Sequence, residues 1–190
     1  MERDNTPLSS QRLFMAVNFN DEVKSRILEV QDQLRSLSLK GNFTRSQNLH
    51  LTLAFLGETH DEKLQILFQI MEELQASPFE ISFDKIGFFP RSRKELWWIG
   101  MDRNSQGFST LEALHRQILA LLSAGGFPVD TRPYNAHITL GREIEHTQSI
   151  TLRCPEITHK VDRISLMKSE HIRGLLTYTE LKGQVLTTIH

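Results

Sequence analysis

A chain of 190 residues, 39% of them apolar, is long enough to bury a substantial core within the usual size range of one domain. Its formal net charge of −1 gives no overall basic field to draw it to nucleic acid, so any such partner must be held by a local cluster of groups. A single cysteine, Cys154, excludes an internal disulfide and any multi-cysteine zinc or iron–sulfur site, which suits a reducing compartment.

The N-terminus, Met1 to Ser10, is polar and lacks the apolar stretch of a secretory signal, and no segment approaches eighteen consecutive apolar residues. These features predict a flexible segment over residues 1–10 and a cytoplasmic chain. Leu13 to Phe19 is almost wholly apolar and reads as a buried strand. Val23, Ile27, Val30, Leu34 and Leu37 then recur at helical spacing, and Lys40-Gly41-Asn42 breaks that helix. A strand over Leu49 to Leu56 ends at Gly57, and Thr59 with Glu62 predicts a capping box for a second helix. Ile66, Leu67, Ile70, Met71 and Leu74 form its apolar face, and Pro78 stops it.

Phe79 to Phe89 begins as an alternating strand, and the basic Arg91-Ser92-Arg93-Lys94 turn joins it as a hairpin to Leu96–Met101. Trp97 and Trp98 are neighbours on that second strand, so they face opposite ways. A third helix carries Leu111, Leu114, Ile118 and Leu122 and terminates at Gly125-Gly126, where glycine can take a left-handed conformation. After a strand around His137, three β-like runs follow near Leu152, Ile164–Leu166 and Leu176–Leu181.

Two of these strands carry the same pattern. His50-Leu51-Thr52-Leu53 and His137-Ile138-Thr139-Leu140 are both His-x-Thr-Leu, and they lie 87 positions apart. Successive side chains in a strand point to opposite faces, so each copy anchors itself through its apolar residues and presents a histidine with a hydroxyl. One such pattern alone would be ordinary half-buried strand residues; two, each preceded by a strand and a helix, make a degenerate internal duplication. Packed face to face, equivalent strands would bring equivalent histidines to a shared cleft. No Pro/Gly/Ser-rich linker separates the halves, so residues 11–190 are expected to form a single bilobal domain.

The paired motifs, the opening strand Leu13-Phe14-Met15-Ala16-Val17, the stretch His50 to Gly57 and the stretch Arg132 to Arg142 resemble the two-histidine (2H) phosphoesterase superfamily. Within it the chain is most similar to the RNA 2′,3′-cyclic phosphodiesterases, historically called 2′-5′ RNA ligases. The resemblance covers nearly the whole sequence. It implies an α+β fold of duplicated bilobal architecture, with two antiparallel-rich sheets flanking a central groove and helices outside. It further implies opening of a 2′,3′-cyclic phosphate at an RNA end to leave a 2′-phosphate, with His50 as proton donor, His137 as proton acceptor and no metal or other cofactor.

The chemistry fits those residue types. Opening a cyclic phosphodiester by water needs a base for the nucleophile and an acid for the departing ribose oxygen, on opposite sides of phosphorus, and histidine suits both roles near neutral pH. Thr52 and Thr139, on the same faces as the histidines, are candidates to donate hydrogen bonds to non-bridging phosphate oxygens. For substrate grip the candidates are Arg142 on phosphate and Phe14, Arg132 and Tyr134 on base or ribose. Phe14 also reads as core, and Arg91, Arg93 and Lys94 as a solvated hairpin tip. His115 reads as a structural helix residue, and His60, His146, His159, His171 and His190 lack a partner pattern, which favours solvated or structural roles.

Three alternatives keep the site and change what it does. It could take a nucleotide-derived cyclic phosphate such as ADP-ribose 1″,2″-cyclic phosphate as substrate, run the reaction backwards as 2′-5′ RNA ligation, or bind RNA ends without catalysis. Two histidines with no carboxylate in either motif give too few ligands for a typical zinc site, so a metallohydrolase is disfavoured. The absence of a Walker-type loop or a G-x-G-x-x-G fingerprint argues against ATP-driven ligation or a nicotinamide cofactor. No membrane and no obligatory protein partner is expected.

Overall fold

The computed structural model describes residues 9–91 and 94–188. Most of the expected N-terminal segment, Arg93 of the basic turn and His190 therefore lie outside the described residues. In chain order the elements are β1 (Ser10–Asn18), α1 (Asp21–Leu37), β2 (Lys40–Phe43), β3 (His50–His60), α2 (Leu64–Glu72), β4 (Phe79–Phe83), β5 (Lys85–Arg91), β6 (Lys94–Gly100), α3 (Gln106–Ala124), β7 (His137–Glu145), β8 (Ile157–Val161), β9 (Arg163–Ile172) and β10 (Leu175–Val185). Short 3-10 turns at Ser46–Asn48 and Asp61–Lys63 flank β3. The strands form a sheet of order β10-β9-β1-β3, a second of order β2-β7-β6-β5, and the pair β4-β8, all antiparallel. This is the expected α+β class with antiparallel sheets.

The expected repeat is visible in the pairing. β3 lies beside β1 as β7 lies beside β6, with α1 joining the first pair in sequence and α3 the second. Strands also cross between the halves. β2, from the first half, pairs with β7, and the C-terminal β9 and β10 extend the sheet of β1. The buried Gln31 of α1 adds a polar tie, its side-chain amide donating to Thr44 O at 2.7 Å and Leu140 O at 2.8 Å.

Because β1 is buried on both faces, it reads as an unbroken apolar run. Leu13, Met15 and Val17 enter the main core, while Phe14 and Ala16 pack with Met167 and Tyr178 on the other face. α1 begins where Asn20 Oδ1 accepts from Val23 N at 2.9 Å, with Asp21 and Glu22 in the first turn complementing the helix dipole. Its stripe ends at Leu34, and Leu37 is half exposed.

Several expectations are corrected. Lys40–Phe43 does not merely interrupt the chain; it is β2, whose edge pairing with β7 supplies the order its weak local pattern does not. β3 does not stop at Gly57. That glycine takes φ +67 where the β1 register shifts, and pairing resumes at Glu58–His60. Thr59 consequently lies in the strand, its hydroxyl donating to Gly57 O, and it caps nothing. α2 starts at Leu64 and ends at Glu72, well before Pro78. Phe79–Phe89 is two strands, with β4 pairing to β8 and only β5 forming the hairpin with β6. The run around Leu152 is not a strand, while Ile157–Val161, unflagged by alternation, is β8. α3 does end as expected, at Gly126 with φ +74.

The tryptophans divide as strand geometry requires. Trp97 is buried in the core and donates its indole N–H to Glu95 at 2.8 Å. Trp98 takes the opposite face and lies flat over Gly87 and Gly100, where an added Cβ would meet its ring at 2.3 and 2.7 Å. Gly87→Val therefore overpacks a rigid indole, with an expected loss of about 1–3 kcal/mol measurable by denaturant unfolding.

Candidate active site

The alternation inferred for the two motifs is present in both copies. Leu51, Leu53, Ile138 and Leu140 are buried, whereas His50, Thr52, His137 and Thr139 are half-buried on the faces that meet solvent. These four polar side chains line one groove of about 620 Å³ between the two large sheets, and among the described residues no α-helix contributes to its lining. His50 comes from the edge strand of the first sheet and His137 from an interior strand of the second.

Each imidazole is held by the same local device. His50 Nδ1 donates to Asn48 O at 2.7 Å, and His137 Nδ1 donates to Asn135 O at 2.8 Å. The duplicated pattern is thus Asn-x-His-x-Thr-Leu, and the carbonyl two residues back fixes which nitrogen is protonated. Nε2 is then the nitrogen that gains or loses a proton on both rings. His50 Nε2 lies 3.0 Å from Thr52 Oγ1; the Thr139 hydroxyl has no hydrogen-bond partner among the described residues.

Aromatic rings fix the imidazoles from the side. His50 packs against Phe14 and Tyr178 at centroid distances of 4.9 and 5.2 Å, and His137 against Phe89 and Trp98 at 5.6 and 6.4 Å. This burial is the largest cause holding both histidines below their ordinary pKa. The carbonyl hydrogen bonds oppose the shift, while Arg142 lowers both and His137 further lowers His50.

The groove is charged with one sign. Arg12, Arg45 and Arg142 line it together with His50, His137 and His171, and among the described residues no aspartate or glutamate does. On a chain with a net charge of −1, that is a local concentration of positive charge suited to an anion. Among the described residues no group of three or more His, Cys, Asp or Glu side chains could hold a metal ion.

Of the residues singled out from the sequence, His50, His137, Thr52, Thr139, Arg142 and Phe14 meet in this groove. Phe14 is buried and forms part of the wall, so its core and groove readings coincide. Arg132 and Tyr134 lie in an adjoining depression that shares Thr52, Phe55 and His137 with the groove. There Arg132 is turned onto Asp130, at 2.5 Å. Tyr134 donates its hydroxyl to Thr52 O at 2.9 Å and stacks on His115 at 4.0 Å, a buttress behind the first motif.

Sequence reasoning missed Phe55, Tyr178, Arg12, Arg45, Asn48 and Ser169, and it read the groove-lining His171 as solvated or structural. A signal existed for Phe55. It stands five residues after His50, as Arg142 stands five after His137, and each follows its motif to a register shift in the strand. Phe55 is 71% exposed and lines the groove. Tyr178 and His171 come from β10 and β9, whose return to the first half no local pattern announces.

The sequence matches the 2′-5′ RNA ligase superfamily over residues 20–173. It is 32% identical over 179 residues to an Escherichia coli K12 protein named RNA 2′,3′-cyclic phosphodiesterase, covering 93% of this chain and 97% of that one. A protein of the same name from Archaeoglobus fulgidus is 33% identical over 133 residues, 69% of this chain and 72% of that one. The fold superposes on the crystal structure of Escherichia coli LigT complexed with 3′-AMP with a TM-score of 0.80 at 30% identity, covering 95% of this chain and 100% of that one.

Proposed function

Because this chain belongs to the 2′-5′ RNA ligase superfamily, we infer that it is a hydrolase opening the 2′,3′-cyclic phosphate ends of RNA, with His137 accepting a proton and His50 donating one. The observation that carries this reading is the matched pair of imidazoles, each pinned through Nδ1, in a groove lined by cations and by no carboxylate among the described residues.

The mechanism follows from the geometry of in-line displacement. Water attacks phosphorus while His137 Nε2 removes its proton. Charge gathers on the non-bridging oxygens, where the Thr139 hydroxyl and the Arg142 guanidinium offer hydrogen bonds and charge, and Thr52 supports the same face beside His50. The P–O3′ bond breaks, and His50 Nε2 protonates the departing ribose oxygen, leaving a 2′-phosphate. The exposed Phe55 ring gives the terminal base a stacking face. Each step uses this chain's own side chains and calls for no metal.

Strand exchange between the two large sheets supports reading residues 11–190 as one bilobal domain. Among the described residues no helix is long and apolar enough to cross a membrane. An RNA-end substrate and a lone Cys154, its thiol pushed up to about 11 by burial, suit a cytoplasmic enzyme.

The test is a product assay. An oligonucleotide with a 2′,3′-cyclic end, incubated with the protein in EDTA, is expected to yield a 2′-phosphate end. A 3′-phosphate product would reverse the assignment of the leaving oxygen, binding without product would favour the RNA-end binding module, and turnover of a nucleotide-derived cyclic phosphate alone would favour the small-substrate reading.

A further inference from the structure

The groove extends beyond the groups used for chemistry. Arg12 lies on β1 two residues before Phe14, on the same face, so at about 3.3 Å per residue it stands roughly 7 Å further along the strand from the ring that touches His50. In the β1–β9 register Arg12 is opposite Ser169, and His171 is the next residue on that face of β9. All three line the groove. Arg12 is exposed, and its guanidinium makes no hydrogen bond or ion pair among the described residues. Its cross-strand neighbour Glu58 instead accepts from Ser10 at 3.4 Å. Arg45 enters the same groove from the turn before β3, its guanidinium held against Leu176 O at 3.4 Å.

The space between this cluster and His50 is walled by Phe14 and Tyr178, whose rings meet at 4.9 Å. Tyr178 feels the charge of Arg142 and of Arg12, which places its ring within the field of both cations. An apolar step bounded by a cation on either side has the character of a nucleoside with a phosphate at each end.

We propose that Arg12, Ser169 and His171 form a second phosphate subsite, which receives the internucleotide phosphate on the 5′ side of the cyclic end. The proposal rests on the reading of the groove as a cyclic-phosphate hydrolase site for RNA ends and adds the residues that hold the chain beyond its terminal nucleotide, so that a dinucleotide is preferred to a lone nucleoside cyclic phosphate. Arg12 supplies charge-assisted hydrogen bonds, Ser169 a neutral hydroxyl donor, and His171 an imidazole N–H.

The experiment compares kcat/KM for a dinucleotide bearing a 2′,3′-cyclic end with that for adenosine 2′,3′-cyclic phosphate, in the wild-type chain and in Arg12→Gln, Arg12→Lys and His171→Gln. The wild type is expected to prefer the dinucleotide. Arg12→Gln should lower the dinucleotide-to-mononucleotide ratio about five- to tenfold, chiefly through KM, with Arg12→Lys partly restoring it. The salt dependence of dinucleotide affinity should flatten by about one phosphate contact in Arg12→Gln. A ratio equal to the wild-type value in both Arg12→Gln and His171→Gln would overturn the proposal while leaving the hydrolase reading intact. A wild-type chain that turns over neither substrate would remove that reading and the subsite with it.

Discussion

Replacing either histidine of the groove by alanine is expected to reduce kcat by a factor of about 10²–10⁴, the range that a positioned general acid or base contributes. In the proposed mechanism His50 and His137 act on opposite sides of one phosphorus, so the double variant should lose less than the product of the two single losses. The measurement is single-turnover opening of a cyclic-phosphate end, with thermal unfolding run alongside. Both rings are half-buried at the groove wall, so their removal leaves the apolar anchors of their strands in place. Retention of more than about a tenth of wild-type kcat in either variant would exclude that residue from proton transfer.

With His137 as the proposed acceptor and His50 as the proposed donor, the same pair sets the pH dependence. The proton acceptor must be neutral, so activity rises as pH climbs through the His137 value. The donor must be protonated, so activity falls as pH climbs through the His50 value. Both values are lowered, first by burial and then by Arg142, with His137 adding to the effect on His50. The bell in kcat/KM, which reports the free enzyme, should therefore lie on the acid side of the ordinary histidine range, its two apparent values belonging to the coupled pair. A bound phosphodiester brings a negative charge between the rings and favours their protonated forms, so the bell in kcat should move to higher pH. Arg142→Gln removes a shared lowering charge and should shift both limbs upward.

How much of this was legible in the sequence depended on the range of the forces involved. The His-x-Thr-Leu pairs could be read because a strand's two-residue period is local, and the alternation of Leu51 and Leu53 against His50 and Thr52 is set by it alone. The buried stripes of α1 and α3 were readable for the same reason. β2 was not, since Lys40–Phe43 becomes a strand only through pairing with β7, about a hundred residues away. The polar wall formed by Ser169, His171 and Tyr178 was hidden likewise, because β9 and β10 reach the groove through a return to β1 that only the assembled sheet reveals. The Thr59–Glu62 capping box misled because strand pairing from Ser10 to Arg12 held Thr59 extended, and tertiary contact overrode the local signal.

The duplication makes a last contrast testable within a single strand. Leu51 is fully buried and pairs with Val17, whereas Phe55, four residues on and past the register shift, is 71% exposed. Leu51→Ala removes a close-packed side chain beneath the histidine, and the expected cost is about 2–5 kcal/mol. For a chain of this size that lowers the melting temperature by roughly 4–20 °C. Phe55→Ala removes mostly solvated surface and should stay within about 0.5 kcal/mol of wild type while raising KM for a nucleotide substrate. Assayed well below its transition, Leu51→Ala should keep most of its kcat, because the carbonyl of Asn48 still fixes the His50 ring. If Leu51→Ala instead melted like wild type, the leucine face of the motif would not be the anchor. His50 would then have to owe its position to the rings of Phe14 and Tyr178 and to the Asn48 carbonyl alone.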